Sequence, residues 1–365
     1  MHLAYILGTY PQPSETFIAR EVEGLRARGH RVELFSLFAP ADGPAGGVTY
    51  GWARVPERVR RKLHEASAIE ALARQWGQEF VRRGCGAVVA HFGSLPSTVA
   101  LQAAGTLPFF LSLHARDIYV EAERLEEKLE RALAVVTCTQ ANVDYLHTQY
   151  PQHADRIHLI YHGLPHEWLA MPAPERPRDL GEPLRILAVG RLVEKKGFLT
   201  LLQACALLRR RDIPFIVRIL GDGPQRRQLL DTARRLGVAS QLHLAGWARR
   251  EQVVEAYAWA DVFCCPSVLA PDGDRDGLPN VLVEAQSTAL PTVGSRLSGI
   301  PEAITDGRNG ALTPPGEAEA LADALARYTD PALRAQHGQA AYADCRERFD
   351  SERWLTRLEE IVARA

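Results

Sequence analysis

The sequence predicts an α/β protein made of two consecutive parallel-sheet domains, and three observations predict it. Apolar strand-like runs alternate with helical stripes from His2 onward, a Pro-rich segment interrupts the alternation, and the alternation restarts at Arg185. At 365 residues the chain is long for one core and sufficient for two.

His2 to Gly8 reads as a buried strand. After Thr9-Tyr10-Pro11-Gln12-Pro13, Ser14 is the expected N-cap of a helix striped by Phe17, Ile18, Val22 and Leu25. Gly29 ends that helix, and Arg31 to Phe38 is the next strand. Residues 40–51, rich in Gly, Pro and Ala, read as a loop. Arg54, Arg58, Arg60, Arg61 and Lys62 then accompany Val55, Val59 and Leu63 at helical spacing. Such a run is most often a solvated face; its functional alternative is peripheral contact with an anionic membrane. Further strands are expected at Ala87 to Phe92, Phe109 to His114, Ala134 to Thr139 and Ile157 to Tyr161. Helices are expected between them at Ser97 to Ala104, Glu121 to Arg131 and Asn142 to Tyr150. His91 and His114 fall at carboxyl ends of strands, the edge where open α/β sheets bind ligands. A lone histidine there is more often a structural group than a catalyst.

Residues 164–183 carry five prolines and little apolar periodicity, the composition of a linker. The expected division is therefore a first domain over 1–165, a linker over 166–183 and a second domain over 184–350. A closing helix, 351–365, carries Trp354, Leu358 and Ile361 as an apolar stripe and is expected to pack back on the first domain. In the second domain, strand Arg185 to Val189 leads into Gly190-Arg191 and a helix from Gly197. Strand Phe215 to Leu220 leads into Gly221-Asp222-Gly223-Pro224 and a helix ending at Leu236. Short strands follow at His243 to Gly246 and Val262 to Cys265. A polar loop, Ala270 to Pro279, precedes an apolar helical run, Asn280 to Ala289.

Composition narrows the function. With 46% hydrophobic and 24% charged residues, the chain has the profile of a soluble globular protein. A net charge of -1 offers no general attraction to nucleic acid. The six cysteines form no CxxC pair and no zinc-ligand spacing, so buried thiols are expected. MHLAYILGTYP has no basic segment ahead of its apolar run, and no apolar run reaches bilayer length, so a cytoplasmic location is expected.

Gly190 to Gly197, GRLVEKKG, sets up to three cations beside backbone amides at a strand's carboxyl end. A diphosphate wants that combination, a planar guanidinium plus an ammonium, although a basic surface turn has the same spacing. It is not a P-loop, and GDGP at 221–224 is half of a dinucleotide fingerprint. No GxSxG elbow or HExxH helix is present. Asp276 and Glu284 sit eight positions apart, before and within a helical run; acids beside helix-start amides suit a ligand with hydroxyls and phosphates. The plain alternative is a capped helix with a solvated acid.

Taken together, GRLVEKKG (190–197), GDGP (221–224), DGLPNVLVEA (276–285) and GIPEAITDGRNGALTPPGE (299–317) resemble the retaining nucleotide-sugar glycosyltransferases of family 4. YPQPSETFIAREVEGLRARGH (10–30) and HARDIY (114–119) resemble the branch that makes exopolysaccharide and colanic-acid-type capsules. The resemblance spans nearly the whole chain and is weakest over residues 40–85. It implies a GT-B fold, two Rossmann-like domains facing each other across a cleft, with the donor mainly on the second. Arg191 and Lys196, with Gly190 beside them, match the diphosphate grip. Glu284 matches the second acid of the E-x7-E motif, on the ribose. The N–H groups of Leu278, Pro279-adjacent Asn280 and Val281 would add to the phosphate site. Gly223 lies near the expected base contacts, together with Trp247. In the first domain, His114 matches a histidine that touches the donor sugar, Gly8 a loop that closes on the phosphates, and Asp117 a recurring acid of the same motif.

The chain departs from the family at Asp276, where the motif has Glu; one methylene fewer shortens its reach by about 1.5 Å. That implies a different sugar, a shifted loop or a weaker grip, with Asp272 and Asp274 as competitors for the role. The implied mechanism is metal-independent transfer with retention, in which Arg191 and Lys196 stabilise the leaving diphosphate. Asp272-Gly273-Asp274 is formally DxD and is read as a loop, with no metal ligands assigned. No cofactor is expected. The expected partners are a UDP- or GDP-sugar donor and a glycan or lipid-linked acceptor, with peripheral contact at the inner face of the plasma membrane and no nucleic acid. The alternative function is a sugar-nucleotide-binding GT-B protein with lost or different activity.

Overall fold

The computed structural model describes the chain apart from residues 13, 14, 53, 54, 56–64, 171–180 and 365. The expected N-cap at Ser14, most of the basic run from Arg54 to Leu63 and much of the expected linker lie outside the described residues. The chain divides into two compact units, residues 1–163 with 351–365, and residues 164–350.

The first unit is built on seven parallel strands: β1 (His2–Thr9), β2 (Arg31–Phe38), β3 (Val48–Tyr50), β4 (Ala87–His91), β5 (Phe109–Leu113), β6 (Ala134–Thr137) and β7 (Ile157–Leu159). Their order is β3-β2-β1-β4-β5-β6-β7. A parallel sheet must be covered on both faces, and β1 shows how the sequence arranges it. Ala4 and Ile6 point to one face, among Phe35, Trp76, Phe80 and Val99. Leu3, Tyr5 and Leu7 point to the other, among Phe17, Ile18, Val22 and Leu25. Residues 40–51, expected to be a loop, contain β3, which extends the sheet edge by pairing Leu34 with Val48. Three residues are too few to show a two-residue period, so the strand is fixed by its neighbour. The helix Ala66–Arg83, an element beyond those expected, buries Ile69, Leu72, Ala73, Trp76 and Phe80 and stops at Gly84, whose φ is 72°.

The closing helix Ser351–Arg364 belongs to this first unit. Trp354, Leu355, Leu358 and Ile361 are buried in the core beneath Tyr5, Phe17 and Val22. Gly24 lets it approach, since a Cβ there would lie 2.4 Å from Leu355 Cδ1. Arg28 pairs with Glu352 at 2.6 Å and Glu359 at 2.7 Å. These ion pairs are partly exposed and contribute little next to four buried apolar side chains.

The second unit has six parallel strands: β8 (Leu184–Val189), β9 (Phe215–Leu220), β10 (Leu242–Gly246), β11 (Val262–Cys265), β12 (Thr292–Ser295) and β13 (Gly310–Thr313). Their order is β10-β9-β8-β11-β12-β13. Residues 166–169, expected within the linker, form a helical turn because Trp168 and Leu169 are buried. Trp168 stands edge-on to Tyr257, ring centroids 6.5 Å apart. In each sheet the chain reverses its direction of growth once, between β1 and β4 and between β8 and β11. The carboxyl ends at such a switch point diverge and leave a crevice, the usual ligand position of an open α/β sheet.

Leu358→Ala should cost about 2–4 kcal/mol of unfolding free energy through transfer and cavity terms. Urea unfolding is the measurement; a loss no larger than that of exposed Arg357→Ala would show that the closing helix does not share the core.

Candidate active site

In the second unit the loops after β8 and β11 meet at the switch point. Gly197, in the left-handed conformation at φ 64°, starts the helix Phe198–Arg210. A Cβ on it would lie 1.8 Å from Pro266 O, so only glycine lets the two loops touch. Val268 N donates to Lys195 O at 2.8 Å across the same seam.

This contact brings Lys196 to Asp276. Lys196 Nζ lies 2.9 Å from each Asp276 carboxylate oxygen, and Ser267 Oγ donates to Oδ2 at 2.6 Å. Lys195 Nζ binds Asp274 Oδ1 at 3.0 Å and stands 3.9 Å from Asp276. Burial pushes the Asp276 carboxyl up, but the charges of Lys196 and Lys195 and the Ser267 hydroxyl outweigh it and hold the group below its usual range. Asp276 is therefore an anion already matched to cations. The Asp272-Gly273-Asp274 turn is held by Lys195 and by Asp274 N donating to Asp272 Oδ1 at 3.0 Å.

Arg191 lies exposed at the start of the same loop. Gly190 packs against the Lys196 stem, 3.2 Å from an added Cβ to Cε. Gly221 and Gly223 close the neighbouring seam: Cβ atoms on them would lie 1.9 Å from Gly190 O and 2.7 Å from Leu192 O. GDGP thus serves loop packing in this chain. Trp247, directly after β10, is 65% exposed.

Glu284 stands in the helix Asn280–Gln286, buried, where the Tyr257 hydroxyl lies 3.3 Å from Oε2 and 3.1 Å from Val281 O. Pro279 is the N-cap, and Asn280 and Val281 form the first turn after Leu278. First-turn amides have no acceptor inside their helix. Gly190, Lys196 and Asp276 are joined by direct contact; Glu284 and the 278–281 turn follow from Asp276 along the chain.

In the first unit Gly8 is the penultimate residue of β1, and an added Cβ would meet only Pro96 Cγ at 3.6 Å, so packing does not require glycine there. His114 follows β5 as the N-cap of Ala115–Tyr119. Asp117 Oδ2 accepts from His114 N at 3.0 Å and from Gly93 N at 2.7 Å. Buried Lys128 holds the other side of that loop, donating to Gly93 O at 2.5 Å and Glu123 O at 2.8 Å. Burial pushes Lys128 down to about 8 and Asp117 up to about 7. His114 packs against Phe92, Phe17 and His162 at centroid distances of 4.7, 4.9 and 5.3 Å. Burial, then the neighbouring His162 and His91, keep it well below the usual histidine range. His162 is pushed down to about 4, first by burial. His114, Cys138 and His162 are also the described residues whose ligand atoms cluster at metal-binding range, within 4.8 Å of one another.

Sequence reasoning singled out Lys196 and counted Lys195 among the cations of the same loop without giving it a partner, and gave Ser267, Lys128 and His162 no role. The doubled lysine of EKKG was a signal for Lys195. For the other three the signal is spatial, because their partners lie 9 to 35 positions away or on another strand.

Two family models match the chain: "Glycosyltransferase Family 4" over residues 14–168 and "Glycosyl transferases group 1" over residues 183–330. The putative colanic acid biosynthesis glycosyltransferase WcaL of Escherichia coli is 26% identical over 374 residues, covering 90% of this chain and 91% of that protein. Its namesake in Salmonella typhimurium is 37% identical over 149 residues, which spans 37% of that relative's length. The amylovoran biosynthesis glycosyltransferase AmsK of Erwinia amylovora is 40% identical over 150 residues, again 37% of its length. Among solved structures, sucrose-phosphate synthase of Thermosynechococcus elongatus matches with a TM-score of 0.78 at 19% identity, covering 100% of this chain and 98% of that one. Anabaena Alr3699/HepE in complex with UDP matches at 0.75 and 19%, covering 100% of both chains. These likenesses give the fold, GT-B.

Gly197→Ala should keep the fold's secondary structure yet separate the two loops, and nucleotide binding measured by calorimetry should fall at least about tenfold. Wild-type affinity in that variant would mean the seam is not needed for binding. Asp117 carries a pH signature. The folded protein holds its proton to about pH 7, against an ordinary value of 3.8, so its ionisation removes stability as pH rises through that window. Asp117→Asn should gain on the wild type between pH 5 and pH 8 in thermal melts; an equal difference at both pH values contradicts this.

Proposed function

We propose, for a chain that belongs to the glycosyltransferases of family 4 and group 1, that it moves a sugar from a nucleotide-diphosphate sugar to a glycan or lipid-linked acceptor in exopolysaccharide synthesis. Transfer proceeds with retention at the anomeric carbon and without a metal. The observation that carries the reading is the cation set after β8: Lys196, paired to Asp276 at 2.9 Å, beside exposed Arg191.

Breaking the bond from the anomeric carbon to the diphosphate leaves a negative charge on the leaving oxygens. Arg191 offers paired N–H donors and Lys196 a point charge, an arrangement that stabilises charge where it develops. Many transferases use a divalent ion there. Here two cationic side chains occupy the role, while the Asp272–Asp274 turn is engaged by Lys195. Diphosphate binding lets Lys196 share its charge between ligand and Asp276, and Asp276 keeps the ammonium aimed. Glu284 is assigned to the ribose hydroxyls, and the amides of Leu278, Asn280 and Val281 to a phosphate oxygen. His114 is assigned to a hydroxyl of the donor sugar: its Nε2 is buried without a hydrogen-bond partner among the described residues. Gly8 leaves room for a phosphate beside β1. Exposed Trp247 offers a face to the base.

The donor is a UDP- or GDP-sugar. The UDP complex of Alr3699/HepE and the GDP-mannose-dependent mannosyltransferase of Mycolicibacterium smegmatis, 32% identical over 180 residues, stand behind those two bases. No described helix is long and apolar enough to cross a membrane. In this reading a lipid-linked acceptor is met at the inner face of the plasma membrane, from the cytoplasm.

A panel of UDP-, GDP- and ADP-sugars should show a thermal shift with one base. With that donor, Arg191→Ala and Lys196→Ala should each lower kcat by about 10²–10³-fold, EDTA should cause no loss, and the product should keep the donor's anomeric configuration by NMR. Unchanged turnover in both variants overturns the charge-stabilising role; EDTA-dependent turnover overturns the metal-free part; an inverted product overturns retention.

A further inference from the structure

We propose that the carboxyl edge of the first sheet carries a binding site for one Zn²⁺-type cation, held by His114, Cys138 and His162, which restrains transfer by engaging His114. The second half of this statement rests on the role given to His114 above; the site itself does not.

The topology delivers the three ligands. They follow β5, β6 and β7, which are adjacent in the sheet. Leu113 pairs with Thr137 and Thr137 with Leu159, so the chain leaves all three strands at one level. His114 and Cys138 are the next residues on their strands, and His162 follows three positions after Leu159. Their ligand atoms lie within 4.8 Å of one another. A tetrahedral zinc with bonds of about 2.0–2.3 Å sets its ligands about 3.3–3.6 Å apart, so side-chain rotations of about 1 Å close the set.

The chemistry of the donors selects the cation. Two imidazoles and a thiol suit Zn²⁺ or its spectroscopic substitute Co²⁺, whereas Mg²⁺ and Ca²⁺ take oxygen ligands. Cys138 is buried and outside any disulfide. His114 Nε2 is sealed from solvent with no hydrogen-bond partner among the described residues, an unusual state for a polar atom. Phe17 packs on both rings, stacked on His162 at 4.1 Å and tilted on His114 at 4.9 Å. Glu21 lines the pocket it shares with Cys138 and His162, placing a carboxyl group beside the ligands. Three ligands leave a fourth position for water or a substrate oxygen. Zinc on His114 ties up the imidazole that transfer requires, so the cation acts as an inhibitor rather than as part of the reaction.

Metal-stripped full-length protein is titrated with Co²⁺. One equivalent should bind and give a thiolate-to-cobalt charge-transfer band, and competition with a chromophoric chelator gives the Zn²⁺ affinity. Cys138→Ser should abolish the band, and His162→Gln should weaken Zn²⁺ binding by at least about 10–100-fold. Circular dichroism checks both variants; if Cys138→Ser does not fold, His162→Gln carries the comparison. Absence of the band in the wild type, or wild-type affinity in His162→Gln, overturns the site. One equivalent of Zn²⁺ should suppress transfer, reversibly with EDTA; unsuppressed transfer by zinc-loaded protein overturns the restraint. Failure of the transfer assay leaves the cobalt band and the chelator competition unaffected, so the site and the reaction fail separately.

Discussion

The second unit's site depends on one interaction, the pairing of Lys196 with Asp276 beneath Ser267. It ties the loop after β8 to the loop after β11 at the point where the sheet reverses its order. A buried ion pair is a poor source of stability, because desolvation consumes most of the Coulombic gain. It is a good source of geometry, because a lone buried charge is costly and each partner must stay where the other is. Lys195 and Asp274 repeat the arrangement one step outward. The result is a pair of lysines fixed before any anionic ligand arrives, with the reorganisation already done.

That pair forms only because backbones approach more closely than side chains permit. Gly197 removes the Cβ that would strike Pro266 O, and Gly221 removes the one that would strike Gly190 O. Both glycines have positive φ, 64° and 136°. Three loops, after β8, β9 and β11, are thereby stitched into one rim, with hydrogen bonds such as Leu192 N to Asp222 O at 2.9 Å and Val268 N to Lys195 O at 2.8 Å. The glycines of GDGP and EKKG do the same physical work, although only the first looks like a nucleotide fingerprint.

How much was legible in the sequence follows from where the signal resides. Strand and helix alternation is local, so β1, β2, β8 and β9 could be read directly, as could the apolar stripe of the closing helix. β3 could not, because three residues carry no period and the edge of β2 supplies the pairing. Trp168 looked like part of a Pro-rich linker because its neighbours outweigh it in composition, whereas burial against Tyr257 decides its fate. Lys196, Asp276 and Glu284 were picked out by motif spacing. Their partners were not: Ser267 reaches Asp276 across nine positions, and Lys195 reaches Asp274 across 79. The histidines show the limit most plainly. His114 and His162 are 48 positions apart, and only the order β5-β6-β7 makes them neighbours.

The short acid at 276 has a physical account once its partners are known. Its carboxylate is buried, receives the Ser267 hydroxyl at 2.6 Å and shares both oxygens with Lys196 at 2.9 Å. A glutamate there carries its charge about 1.5 Å further along the side chain, and would have to leave Ser267 or push Lys196 outward. Asp276 therefore fits a side chain whose first duty is to hold the lysine. The two units also differ in kind. The second presents lysines paired with carboxylates, an arrangement that suits an anionic diphosphate. The first presents histidines kept neutral by burial, the state that suits a hydroxyl or a metal. Each carboxyl edge is charged according to what its own neighbours can stabilise, and in both the deciding groups come from loops that the sheet order, rather than the sequence order, brings together.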